Sequence, residues 1–272
     1  MTAVAFQGEP GAYSEMAARR FFGDTVETVP CRTLADVFQA LVTGRVDRAV
    51  AAVENSQAGT IHTTIDLLRS HDVFAIGETV VPVRHALMAP AGLALVDVRR
   101  VLSHASALDQ CAAFIEARGL EAVAVYDTAG AAKLVAEERR PGDAAIASVA
   151  AAARYGLAIL AEDVQTIQDN RTRFLALGRA PAPRSDGSAK TVLVFATDHR
   201  PGALHEALGA LARRRLNLLK LESRPSRQRP WEYVFHVDFE GHRDDPSVRE
   251  ALADLARLTT FLKVLGSFAR ND

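Results

Sequence analysis

Asp169-Asn170-Arg171-Thr172-Arg173-Phe174 divides the chain into two patterns. Before it runs a long alternation of short apolar strands and amphipathic stretches. After it come an apolar run, Leu175 to Leu177, a Pro/Gly/Ser-rich segment and a second, smaller pattern. The stretch gathers an amide, a hydroxyl, guanidinium groups and an aromatic ring. If it opens a strand, Thr172 and Arg173 point to opposite faces, so one segment can serve two surfaces. An isolated N-x-T-R-F reads as a polar turn entering a strand; the flanking chain decides.

Upstream, Ala3 to Phe6 reads as a strand that ends in a loop, Gln7 to Ser14, punctuated by Gly8, Pro10 and Gly11 and opening a helix, Glu15 to Phe22. Backbone N–H groups of such a loop can point at an anion, although it is neither a P-loop nor a GxGxxG. Glu27 to Pro30 is a second strand, and Thr33 to Thr43 a helix with Leu34, Val37, Phe38 and Leu41 on one face. Arg48 to Val53 is a buried, parallel-type strand running into a polar loop, Glu54 to Ile61, before a helix, Thr63 to Ser70. Two such loops at strand ends lie side by side at a crevice. Asn55, Ser56 and Thr60 there can cap the next helix or orient a ligand.

The β-rich stretch Val73 to Met88, broken by Pro82, carries the chain into a second lobe. There, strand Val98 to Leu102 leads through Ser103-His104 to helix Ala107 to Arg118. Strand Ala122 to Val125 leads through Asp127-Thr128-Ala129-Gly130 to helix Ala131 to Glu138. Strand Ala144 to Ala147, an N-cap at Ser148 and helix Val149 to Tyr155 follow, and Ala158 to Glu162 returns the chain to the first lobe. Residues 1–179 thus predict two α/β lobes around a cleft, one of about 1–80 and 158–179, the other of about 81–157. Helix N-termini facing such a cleft suit a small dianion.

Residues 180–189 have linker composition, with Pro181, Pro183, Ser185, Asp186, Gly187 and Ser188. Residues 190–272 predict strand Thr191–Ala196, helix Pro201–Arg214, strands Leu218–Glu222 and Glu232–Phe239, helix Pro246–Leu255 and strand Phe261–Phe268. This βαββαβ order is ferredoxin-like. A net charge of −1 without a basic stripe speaks against nucleic acid. No secretory n- and h-region precedes Ala3, and no apolar run nears the ~18 residues of a membrane span. We therefore expect a soluble, cytoplasmic chain. Cys31 and Cys111 lack a partner motif and read as reduced core residues. The histidines lack metal-ligand spacing, so neither metal nor cofactor is expected.

Phe6-Gln7-Gly8 through Tyr13-Ser14, Glu54-Asn55-Ser56 with Gly59, Ser103-His104, Thr128 to Ala132 and Asn170 to Phe174 together resemble the prephenate dehydratases of phenylalanine biosynthesis. Gly202-Ala203-Leu204 and Glu222-Ser223-Arg224-Pro225 resemble the phenylalanine-binding motifs of that family's ACT domain. The likeness covers nearly the whole chain, in order. It implies a two-lobed, periplasmic-binding-protein-like α/β catalytic domain plus a ferredoxin-like ACT domain. It also implies a cofactor-free carbon–oxygen lyase that converts prephenate to phenylpyruvate, is feedback-regulated by L-phenylalanine, and assembles as a homodimer or homotetramer. Ser106 departs from the family's usual Gln, and Asp198-His199-Arg200 from its Asn-containing turn. With no chorismate mutase helix ahead of the first strand, the monofunctional form is expected.

The resemblance gives Thr172 the family's essential threonine role, donating to the departing C4 oxygen, with His104 or a water behind it. Arg173 is expected to anchor the pyruvyl carboxylate. The ring carboxylate leaves as CO2, and a strong cationic contact would stabilise the ground state instead, so neutral surroundings including Phe174 are expected. Asn55, Ser56, Gly59, Thr60, Ser103 and Thr128 are the expected substrate-binding residues. Gly202, Ala203, Leu204, Glu222, Ser223, Arg224 and Pro225 are the expected effector-binding ones. Glu54 reads as an arginine's partner or a helix cap, and His85 and His104 as core or supporting histidines as readily as catalytic ones. The alternatives are an arogenate dehydratase and a catalytically silent binding or sensor protein; the intact Thr172-Arg173-Phe174 speaks against the latter.

Overall fold

The computed structural model describes residues 1–184, 187–225 and 233–270. The first run comprises β1 (Ala3–Gln7), α1 (Tyr13–Phe22), β2 (Glu27–Cys31), α2 (Leu34–Val42), β3 (Arg48–Asn55), β4 (Gly59–Thr60), α3 (His62–Ser70) and β5 (Phe74–Pro82). It continues with β6 (Ala86–Ala89), β7 (Arg100–His104), α4 (Ala105–Gln110), α5 (Ala112–Glu116), β8 (Glu121–Val125), α6 (Thr128–Glu138), β9 (Asp143–Ala147), α7 (Val149–Tyr155) and β10 (Ala158–Ala161). Then come β11 (Arg171–Gly178), β12 (Ala189–Ala196), α8 (Ala203–Ala212), β13 (Leu218–Pro225), β14 (Tyr233–Glu240), α9 (Pro246–Leu258) and β15 (Phe261–Ala269).

The strands form three sheets, ordered β2-β1-β3-β11-β5 with β4 folded back on β3, β10-β6-β9-β7-β8, and β13-β14-β12-β15. β1 runs parallel to β2 and β3, and β7 parallel to β8 and β9. The third sheet is antiparallel throughout. Central strands such as β9 and β12 are buried along their whole length, as strands covered on both faces are. Local chemistry sets the helix starts. Thr33 and Asp36 cap α2 reciprocally, Asp127 accepts from Gly130 N at 2.7 Å, and Ser148 accepts from Ala151 N at 3.1 Å.

One apolar cluster runs through both lobes, with Val4, Phe6 and Val50 from the first and Met88, Ala131 and Ala145 from the second. In the third sheet, Leu193, Phe195, Phe235, Val237 and Phe239 pack with Ala207 and Leu211 of α8 and Leu255 of α9. The chain divides into two compact units, Met1–Thr64 with Thr79–Phe174, and Ile65–Glu78 with Leu175–Asp272. No described helix is long and apolar enough to cross a membrane.

Several expectations are corrected. The helix expected over Ala107–Arg118 is two short helices, because Cys111 (φ −104°, ψ 12°) leaves helical geometry between them. Thr128 to Gly130 form the first turn of α6 rather than a loop, since Asp127 starts the helix. β10 does not return to the first lobe; it pairs antiparallel with β6 at the edge of the second sheet, so the chain leaves that lobe after Ala161. Glu54 and Asn55 stay in β3, and Gly59 and Thr60 pair back on them as a hairpin. Of the expected linker and strand starts, Ser185, Asp186 and Glu232 lie outside the described residues.

Candidate active site

Thr172 and Arg173 alternate on β11, and Asn55 and Glu54 alternate on β3. The two strands pair these residues face by face. Asn55 Nδ2 donates to Thr172 Oγ1 at 2.9 Å and to Asn170 Oδ1 at 2.7 Å. On the other face the Arg173 guanidinium donates to Glu54 Oε2 from Nη2 at 2.9 Å and Nε at 3.2 Å. Because the Thr172 hydroxyl accepts from an amide, its own proton is left to donate elsewhere. That polarity suits a group that protonates a departing oxygen.

The amide network continues. Asn170 Nδ2 donates to Gln110 Oε1 at 3.0 Å, and His85 Nε2 lies 2.9 Å from the same oxygen. An oxygen that already accepts from Asn170 places the His85 proton on Nε2. Amides accept and donate but do not pass a proton along, so this chain orients Thr172 rather than supplying its proton. His85 is buried, and its backbone N–H donates to Gln165 Oε1 at 2.8 Å. Tyr13 OH, 3.2 Å from His85 Nδ1, flanks it. Gln110 and Gln165 escaped the sequence reading of the site, and Tyr13 entered it only as part of a motif; nothing in their local sequence sets the two glutamines apart from ordinary polar residues.

Burial holds the His85 imidazole below the ordinary histidine range, against the hydrogen bond to Gln110, which raises it. The unfolded chain then binds that proton more readily than the folded one. Stability from neutral His85 is therefore present above the ordinary histidine pKa and is lost as pH falls through it. His85→Gln is expected to flatten the stability profile between about pH 7 and pH 5. Melting temperatures that fall over that window as steeply as the parent's would remove His85 as the cause.

The remaining expected site residues separate. Ser56 clamps β11, donating its N–H to Arg171 O at 2.9 Å and accepting from Arg171 N at 3.0 Å on Oγ. Asn55 Oδ1 accepts from Gln57 N and Ala58 N at 3.0 and 2.9 Å, fixing the turn that leads to Gly59. Gly59 has φ 81°, which a side chain would strain. Thr60 pairs with Glu54 in the hairpin. Phe174 is corrected: it is buried against Ala17 and Val81, with Tyr13 and Ala52 beside it, so it holds the strand in place instead of facing a ligand. Ser103 is corrected likewise; fully buried, it donates to Ile146 O at 2.6 Å. Thr128 stands half-buried at the start of α6, and His104 Nδ1 caps α4 by accepting from Ser106 N at 3.2 Å.

The N–H groups at the start of the Gly8 to Ser14 loop already have partners within the protein. Gly8 N donates to Cys31 O, Glu9 N to Asp127 Oδ1 and Gly11 N to Glu15 Oε2. The loop joins the lobes, since Gly11 O accepts from Ser148 Oγ at 2.6 Å. A Cβ on Gly11 would lie 2.7 Å from Ala151 Cα, so the close approach depends on glycine.

A cavity of about 580 Å³ opens beside the amide network, lined by Gln57 and Ala58 from the first lobe and by Ser106, Asp109, Gln110, Ala112, Ala113, Glu116, Thr166 and Ile167. Its size is that of a small-molecule site. Asp109 and Glu116 put carboxylates on its wall, and none of these lining residues is a lysine or arginine.

Gly202, at φ 82°, caps α8, with Ala203 buried and Leu204 packed on the third sheet's core. The register splits the second motif. Ser223 pairs with Phe235, whose ring belongs to the core under α8, whereas Glu222 pairs with His236 and Arg224 with Val234. Cross-strand partners share a face, so Ser223 and Pro225 lie on the helix side. Glu222 and Arg224 lie on the other, where Arg224 forms an ion pair with Asp66.

A family model for prephenate dehydratase matches residues 4–182, and one for the ACT domain residues 190–257. The chain is 45% identical to "Arogenate dehydratase/prephenate dehydratase 2, chloroplastic" of Arabidopsis thaliana, over 97% of this chain and 72% of that protein. A crystal structure of prephenate dehydratase in complex with L-Phe from Arthrobacter aurescens superposes with a TM-score of 0.89 at 33% identity, covering 98% of this chain and 90% of that one. A solved structure described as "GqqA- a novel type of quorum quenching acylases" superposes with a TM-score of 0.88 at 38% identity, covering 99% and 98%.

Proposed function

The chain belongs to the prephenate dehydratase family and carries an ACT domain, and from that premise we propose that it converts prephenate to phenylpyruvate with loss of CO2 and water. The observation that carries the mechanism is the donation from Asn55 Nδ2 to Thr172 Oγ1. As the ring carboxylate leaves as CO2, the electron pair of its C–C bond aromatises the ring and expels the C4 oxygen. Thr172 donates to that oxygen as it departs, and a water restores the threonine proton. The cationic Arg173 stays with Glu54 on the opposite face, so the ring carboxylate meets no strong cation that would favour the ground state. Arg173 and Phe174 are assigned to holding β11 in register. Asn55, Ser56, Gly59 and Thr60 are assigned to shaping the cavity wall through Gln57 and Ala58.

Residues 1–179 make the catalytic domain and 190–272 the ACT domain, and L-phenylalanine is the effector. Gly202 to Leu204 and the helix-side residues Ser223 and Pro225 are assigned to it, the carboxylate taking the start of α8. The L-Phe-bound relative supports that assignment. We assign the protein to the cytoplasm as a homodimer or homotetramer. A turnover assay following phenylpyruvate from prephenate, with and without L-phenylalanine, tests both parts. No turnover sinks the dehydratase reading; turnover indifferent to L-phenylalanine sinks only the effector reading.

The cavity wall favours a second substrate. Asp109 and Glu116, without a neighbouring lysine or arginine on that wall, complement the ammonium of arogenate better than the keto group of prephenate. Asp109→Asn with Glu116→Gln is expected to lower kcat/KM for arogenate about threefold or more relative to prephenate. Equal effects on the two substrates would remove the carboxylates from selection.

A further inference from the structure

Residues 65–78 belong to the same compact unit as the C-terminal sheet and are held there from several of its strands. Lys263 Nζ on β15 donates to three carbonyls at the end of α3: Leu68 O at 2.9 Å, Arg69 O at 3.2 Å and His71 O at 2.7 Å. These are the acceptors a helix C-terminus leaves over, at its negative end. Arg224 on β13 pairs with Asp66, and the Arg69 guanidinium lies 5.8 Å over the Phe261 ring. Lys190 on β12 holds both oxygens of Glu78 at 3.1 and 3.0 Å. A Cβ on Gly266 would lie 2.1 Å from Ala75 O, so β15 and β5 meet backbone to backbone.

Both ends of this segment run directly into the group around Thr172. On the N-terminal side, Thr64 Oγ1 donates to Ala52 O, and Gly59 pairs with Asn55 in the hairpin just before α3. On the C-terminal side, Val81 packs on Phe174, and Val83 N donates to Asn170 O at 2.8 Å. Asn55 donates to Thr172, and Asn170 accepts from Asn55. The chain flanking the segment therefore reaches Asn55 through its pairing with Gly59, and the backbone carbonyl of Asn170 through Val83.

We propose that residues 65–78 are the element through which the C-terminal unit regulates Thr172, and that Lys263 is the positioning residue that transmits the effector's state to it. The inference rests on the dehydratase reading with L-phenylalanine as effector. An effector that favours one arrangement of β13 and β15 over another moves the donors that hold α3. A hydrogen bond as geometry-dependent as that from Asn55 to Thr172 needs only a small displacement to weaken. Lys263→Met keeps the aliphatic stem and removes all three donations. Asp66→Asn, which weakens the grip through Arg224's partner, gives a second, milder variant.

The test uses the full chain. L-Phenylalanine binding is measured by calorimetry, and its suppression of prephenate turnover by assay, for the parent and both variants. The expected result is that both variants still bind L-phenylalanine and turn over prephenate, while Lys263→Met loses at least fivefold of the parent's suppression, within the range of about 5- to 150-fold usual for coupling between sites. Hydrogen exchange of the parent is expected to change over residues 62–72 when L-phenylalanine is added, a readout that needs no variant to fold. Full suppression in both variants, suppression lost only together with binding, or unchanged exchange over 62–72 would overturn the proposal. A parent that turns over prephenate but ignores L-phenylalanine would show instead that the effector reading fails, and this inference with it.

Discussion

Thr172→Val is expected to lower the turnover number by about a hundredfold or more, the scale of losing a positioned proton donor. It is expected to leave the unfolding free energy within about 1 kcal/mol of the parent's. Valine keeps the shape of a side chain that is only 8% exposed, so no cavity forms. Asn55 Nδ2 loses one acceptor but keeps Asn170 Oδ1 at 2.7 Å, with Arg171 O at 3.3 Å, so no buried donor is orphaned. The hydroxyl proton matters only as the C4–oxygen bond breaks, so kcat and kcat/KM should fall together. Thr172→Ser, which retains the hydroxyl, should recover most of the rate. A loss below about tenfold for Thr172→Val would take the threonine out of this role.

Patterns that depend on near neighbours were legible in the sequence. The apolar runs of β1, β3, β9 and β12, the apolar face of α2 and the cap at Ser148 follow from spacing and residue type within a few positions. The facing of Thr172 and Arg173 to opposite sides also followed, because alternation is local. What failed depended on partners remote in sequence. Asn55 and Thr172 are 117 positions apart, and nothing near either residue announces that their side chains meet. Gln110 and Gln165 looked like ordinary polar residues until the fold set them beside Asn170 and His85. The Gly8 to Gly11 loop had the composition of an anion site, but its N–H groups are taken by Cys31, Asp127 and Glu15. Ser103 stands at a strand end as a ligand-binding serine would, yet the backbone of a neighbouring strand takes its hydroxyl.

The same alternation that separates Thr172 from Arg173 separates Ser223 from Arg224. In both motifs one residue fastens the strand to a carboxylate, Arg173 to Glu54 and Arg224 to Asp66, and its neighbour lies on the opposite face. A contiguous motif in a strand is therefore two half-motifs. Reading all its members as ligand contacts assigns to binding what belongs to scaffolding.

Lys190→Met is expected to destabilise the chain by about 3–5 kcal/mol, the cost of breaking a buried ion cluster from one side. The ammonium sits 3.0 Å from a Glu78 oxygen and 3.2 Å from Asp238 Oδ2, and the three side chains are 9%, 10% and 1% exposed. His236 Nε2 lies 3.1 Å from the other Asp238 oxygen. Methionine fills the space of the lysine stem, so the loss is electrostatic: two carboxylates, one nearly sealed from water, face each other without their shared cation. Denaturant midpoints for the parent and variant measure it. A triple variant, Lys190→Met with Glu78→Gln and Asp238→Asn, separates the causes, since replacing a whole buried cluster by neutral groups is often close to neutral. If the triple variant recovers most of the loss, the lysine's contribution is charge compensation. If it remains as unstable as Lys190→Met, the lysine acts through packing. A single-variant loss below about 1 kcal/mol would mean that water reaches the carboxylates and screens them as it does surface pairs.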